Sequence, residues 1–147
     1  MPALRKELGF SEFGRLRRWW RAFLAEERNW NFEPALVQGN LRPGDLLVDR
    51  EQTELVAVGG FASAALGDPA VDFAGLVRCT GTDFTWRVVD AYGRGGGTVG
   101  AELLRRVRVL GAASMMRAAA RAARRDDAAG LAVVVAELRD GPVLANY

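Results

Sequence analysis

Apolar runs of only three to five residues, at 35–37, 46–48 and 54–58, are enclosed by two much longer stretches whose apolar side chains recur at helical spacing. Runs that short can pair only into small ladders, and side chains with helical spacing do not line one face of a strand. The pattern therefore predicts an α+β fold, mostly helical, with a small β-arrangement near the middle. The polar loop QGNLRPGD and the turn-like DREQT separate the runs, and the last run stops at Gly59-Gly60.

From Ser11 the segment SEFGRLRRWWRAFLAEERNW places Phe13, Leu16, Trp20, Phe23 and Leu24 on a helical face, with Arg15, Arg17, Arg18, Arg21, Glu26 and Glu27 largely elsewhere. Ser11 is the expected N-cap, and 29–34 supplies turn formers that end the helix. Trp19, Trp20 and Trp30 read as packing anchors rather than a platform for stacked bases. In GDPAVDFAGL a turn precedes a helix, with Asp68 placed to cap it and Pro69 in the first turn. Residues 82–92 predict another helix, which enters a hinge at GRGGG. Those glycines are not a phosphate cradle, because no strand precedes them and no Lys-Ser/Thr pair follows. Residues 98–125 predict one long helix or a pair broken near Gly111, with Arg117, Arg121 and Arg124 on a solvated face, and 126–137 predict a last helix. No repeat or linker-like boundary interrupts 1–147, so one domain is expected.

The 147 residues include no histidine and one cysteine, Cys79. That excludes Ser-His-Asp and Cys-His nucleophile pairs, imidazole metal ligands and an internal disulfide. With 20 basic and 18 acidic residues the formal charge is only +2, which gives no electrostatic footprint for nucleic acid. Neither a secretory leader nor a membrane-length apolar stretch is present in the sequence. The expectation is a cytoplasmic protein with no nucleic-acid and no membrane partner.

Two stretches carry a family likeness: LVQGNLRPGDLLVD at 36–49 and LVAVGGFASAALGDPAVDFAGLV at 55–77. Together they resemble the carboxy-terminal lobe of the aminoglycoside and macrolide phosphotransferases, whose fold is kinase-like, with the likeness strongest to the macrolide 2′-phosphotransferases. The family pattern runs roughly L-V-H-G-D-L-H-P-G-N/H-x-L-V-D and V-I-D-W-x-x-A-x-x-G-D-P-A-x-D-F. Gly39, Leu41, Pro43, Gly44, Leu47, Val48 and Asp49 match it, as do Gly67, Asp68, Pro69, Asp72 and Phe73.

The likeness breaks where the family's chemistry sits. Asn40 stands at the position of the catalytic aspartate, and an amide cannot accept the substrate hydroxyl proton as a carboxylate does. Gln38 and Arg42 stand at the two histidine positions. Asp45 matches one metal ligand, while Gly60 replaces the metal aspartate and Phe61 keeps the aromatic after it. Only about 35 residues precede the QGN motif and Lys6 is the only lysine, so the nucleotide-binding amino-terminal lobe is not expected. The resemblance therefore implies a phosphotransferase-like domain that is not an ATP-dependent phosphotransferase and needs no cofactor and no metal.

Three readings remain. The first is a module for an apolar natural product of macrolide or polyketide type, in antibiotic biosynthesis or resistance, with Gln38, Asn40, Arg42, Asp45, Phe61, Phe84, Trp86, Met115 and Met116 as candidate ligand-binding residues. The second is a cofactor-independent cyclase or isomerase acting on such a molecule, with Asp45 as its acid or base. The third is a pseudokinase-like interaction protein, a homodimer or one covered by a protein partner, because the surface around 36–62 would otherwise stay wet.

Overall fold

The computed structural model describes residues 2–51, 54–141 and 143–144. In chain order the elements are α1 (Pro2–Ala25), β1 (Ala35–Val37), β2 (Leu46–Val48), β3 (Leu55–Val58), β4 (Ala65–Gly67), α2 (Ala70–Thr80), α3 (Thr82–Arg94), α4 (Ala101–Arg124) and α5 (Ala128–Asp140). The mostly helical α+β class follows the sequence expectation. The described residues form two compact units, one from 1–30 with 112–147 and one from 31–111.

The first unit is helical. Its core gathers Leu4, Leu8 and Leu16 with Met116, Ala119, Leu131, Val135 and Leu138. The helix expected from Ser11 is present but is preceded by another: two helices joined at Gly9 make up α1 from Pro2, and Ser11 stands exposed in the first turn after the join. Leu4 and Leu8, one turn apart, are buried in this core, and that burial holds a segment whose local cap signal is weak. Gly9 makes the join at φ 71°, a left-handed value that glycine adopts without a Cβ penalty, so α1 is kinked there.

Around Phe23 the aromatic anchors gather. Trp19 and Trp20 lie 5.5 and 5.2 Å from its ring centroid, and Trp30 meets it edge-on while donating Nε1–H to the Leu24 carbonyl. Leu24 itself is exposed. Asp127 caps α5 by accepting from Gly130 N–H at 2.8 Å. Arg139 of α5 clamps Glu12 of α1, and that hydrogen bond, aided by the carboxylate's charge, raises the arginine's pKa above its ordinary value.

The second unit holds the strands. Among the described residues they form two separate antiparallel ladders, β1 with β4 and β2 with β3. β4 was not expected. Its three residues carry no alternating pattern, and pairing with β1 places it. Phe73 and Ala70 of α2, Val89 of α3, and Leu103 and Val107 of α4 make the core, with Trp86 and Tyr92 packed against it. Asp68 caps α2 as expected, accepting from Ala70 N–H at 3.0 Å. It also receives Arg106 Nε at 2.8 Å, an ion pair whose side chains are only 6% and 7% exposed. The guanidinium is held further by the Asn31 carbonyl and the Phe32 ring face.

The GRGGG segment ends α3 and wraps back over it. Gly97 N–H donates to the Tyr92 carbonyl, and its Cα lies against the Tyr92 ring, where a Cβ would collide. Beyond it α4 is one continuous helix through Gly111, not a broken pair, and it begins at Ala101 rather than Thr98, whose hydroxyl donates to Glu33. Arg117, Arg121 and Arg124 lie exposed along it.

Candidate functional site

β1 delivers the chain into the QGN loop, where Gly39 turns at φ 94° with its Cα against the Ser63 carbonyl. Asp72, in the first turn of α2, receives the loop backbone. The N–H groups of Gln38 and Gly39 donate to its two oxygens, each at 2.8 Å. A carboxylate there also suits the positive end of the helix dipole. Sequence reading placed Asp72 only as a framework match, yet it is the residue that fixes the loop.

Gln38 is buried and spends its whole carboxamide locally. Its Nε2 donates to the carbonyls of Gly59 and Gly60 at 3.2 and 3.0 Å, and its Oε1 accepts from Asn40 N–H at 2.9 Å. Asp45 closes the 3-10 turn Pro43–Asp45, accepting from Arg42 N–H at 3.0 Å, while its own carbonyl accepts Gly59 N–H at 2.7 Å. With the Asn40 amide turned so that its oxygen faces Arg42, guanidinium Nε and Nη2 both donate to it at 3.0 Å. The structure thus brings Gln38, Asn40, Arg42 and Asp45 into one hydrogen-bonded network, with Phe61 exposed just beyond Gly60.

Gly60 is the tight point. It adopts φ 76°, and a Cβ there would lie 2.5 Å from both Asp45 Oδ1 and Gln38 Nε2. The place a Gly60 side chain would take is already occupied by the Asp45 carboxylate and the Gln38 amide. A magnesium-nucleotide site built on the family pattern needs acidic ligands at both the Asp45 and the Gly60 positions. A single carboxylate, with a glycine in place of the second, does not fit it. Among the described residues no three His, Cys, Asp or Glu side chains converge to hold a metal ion.

The apolar candidates make no hydrogen bond of this network and lie on helices. Phe84, in the first turn of α3, is partly exposed with the Arg87 guanidinium 5.8 Å from its ring centroid, and Trp86 packs against the core of the second unit. Met115 and Met116 belong to the first unit, where Met116 is buried and Met115 packs against the core. Met116 also lines an open cleft of about 380 Å³ with Phe13, Leu16, Arg17, Trp20 and Arg21. The two arginines fall at i+4 and i+8 from Phe13, so the segment's periodicity carried the signal. Sequence reading had assigned them to the other face.

The sequence model of the phosphotransferase enzyme family matches residues 2–110. Solved structures align over nearly all of the chain. The GDP and kanamycin complex of APH(2")-IIia is similar with a TM-score of 0.74 and 22% identity over 92% of this chain and 45% of that one. Macrolide 2'-phosphotransferase type I aligns with a TM-score of 0.67 and 22% identity over 91% and 47%. The apoenzyme of macrolide 2'-phosphotransferase MphH from Brachybacterium faecium does so at 0.60 and 28% over 93% and 47%. This chain therefore spans about half the length of the structures it matches. No curated protein is a match in sequence. No helix among the described residues is long and apolar enough to cross a membrane.

Proposed function

Because the chain belongs to the phosphotransferase enzyme family, we propose that it is a form of that fold that does not transfer phosphate and instead binds an apolar small molecule of macrolide or polyketide type. The observation that carries this reading is the closed QGN loop. Gln38 is bonded to the Gly60 carbonyl, Gly60 has no room for a side chain between Gln38 and Asp45, and Asn40 points its amide at Arg42. Asn40, at the position of the missing aspartate, cannot accept a hydroxyl proton as that carboxylate would.

Support for binding comes from the first unit, where the cleft walled by Phe13, Leu16, Trp20 and Met116 has the size and apolar character of a small-molecule site. The test is paired. Incubation with ATP or GTP, magnesium and a panel of macrolides and aminoglycosides should yield no phosphorylated product, and calorimetric titration of the same panel should show saturable macrolide binding. Phosphate transfer by the purified chain refutes the first half, and silence across the panel the second.

A separate observation favours a second role, as an interaction partner. In the β1–β4 ladder Leu36 and Leu66 are register partners, and they are 73% and 78% exposed. Leu47, Leu55, Val56 and Phe61 are also more than half exposed. We propose that a second copy of the chain covers this apolar surface. Sedimentation should show a dimer that Leu36→Asp with Leu66→Asp dissociates; a monomer at high concentration counts against it.

A further inference from the structure

The cleft in the first unit is apolar on its walls and cationic at its rim. Its α1 residues, Phe13, Leu16, Arg17, Trp20 and Arg21, fall at i, i+3, i+4, i+7 and i+8, the spacing of a helix stripe that ordinarily meets a core. Two of these five positions are arginines. Both are exposed, and neither makes a hydrogen bond, ion pair or ring contact with any described residue. Elsewhere on the same helix Arg15 approaches Glu12 at 3.9 Å, and Glu12 also takes Arg139. Among the described residues no acidic one lines the cleft. Two adjacent guanidinium groups beside apolar walls thus have no counter-charge among the described residues.

Resting on the reading that this cleft is the ligand site, we infer that its ligand is an amphipathic anion: an aliphatic or polyketide-like body with a terminal carboxylate. The body lies against Phe13, Leu16, Trp20 and Met116, and the carboxylate spans Arg17 and Arg21, one helical turn apart. Guanidinium groups recognise carboxylates through paired N–H donors, and they do so more strongly beside an apolar wall that excludes water. A basic amphipathic helix can also lie on an anionic bilayer. Here Leu16 and Met116 are buried at the cleft, so the surface is concave and suits one inserted molecule better than a flat membrane.

Octanoate, octan-1-ol and octylammonium share a chain length and differ in head group, and Trp20 reports their entry by fluorescence. On the whole chain octanoate should bind about tenfold more tightly than octan-1-ol, with octylammonium weakest. Arg17→Gln with Arg21→Gln should bring octanoate to the level of octan-1-ol while leaving octan-1-ol unchanged, which shows the cleft still intact. Equal binding of octanoate and octan-1-ol overturns the anionic assignment and leaves the apolar-ligand reading standing. Silence of all three probes while macrolides bind does the same, and silence of macrolides as well overturns both. Cosedimentation with phosphatidylserine vesicles, without binding of free octanoate, overturns the inference in favour of a membrane surface.

Discussion

Gly60→Asp would put back the carboxylate that the family pattern places there, and the structure predicts a large loss of stability instead of a working site. A left-handed backbone costs a non-glycine residue about 1–2 kcal/mol. The new Cβ would lie 2.5 Å from Gln38 Nε2, so the amide must swing away from the Gly59 and Gly60 carbonyls. Those two hydrogen bonds are worth about 1 kcal/mol each. A second carboxylate beside half-buried Asp45 adds about 1 kcal/mol of repulsion once solvent screening is allowed for. The sum is about 4–5 kcal/mol, a large part of the roughly 5–15 kcal/mol that holds a typical domain together.

Urea denaturation followed by circular dichroism measures it. Gly60→Ala should cost less, since it carries the backbone and contact penalties without the charge. Adding Gln38→Ala to Gly60→Asp should make the second substitution cheaper than it is alone, because the amide is no longer in the way. A Gly60→Asp protein within about 1 kcal/mol of the native one, where the terms above require several times that, or one that magnesium stabilises, would refute the idea that the loop is locked.

Three further outcomes follow from buried or crowded groups. Arg106→Met leaves the Asp68 carboxylate buried without its partner and should cost about 3–5 kcal/mol in denaturation, much of it recovered by adding Asp68→Leu. Asp72→Asn keeps one acceptor, now uncharged, and turns an NH2 donor toward the other loop N–H, for about 2–3 kcal/mol by the same assay. Gly97→Ala pushes a methyl into the Tyr92 ring and should lower stability by about 1–3 kcal/mol, with a change in near-ultraviolet circular dichroism from the displaced tyrosine.

The elements that local chemistry determines were legible. The short runs at 35–37 and 46–48 are strands because their flanking loops stop them, and Asp68 with Pro69 starts α2. Long-range partners were not legible. Asp68 finds Arg106 at 38 residues' separation, and β4 forms because β1 lies beside it. The start of α1 was hidden for a related reason: Leu4 and Leu8 depend on a core assembled from the other end of the chain. At the site, the motif located Gln38, Asn40, Arg42 and Asp45, and the residue types showed which acids were gone. That the Gln38 amide turns inward against Gly60 depends on the carbonyl directions of Gly59 and Gly60, which no sequence pattern encodes.

Asp72 grips two consecutive peptide groups from the first turn of α2, and this couples the timing of two events. Fraying of that turn releases Gln38 and Gly39 together, and neither amide can meet solvent while the turn is wound. Their protection factors against hydrogen exchange should therefore be equal to each other and set by the opening of α2, so that two loop amides serve as a built-in gauge of a neighbouring helix.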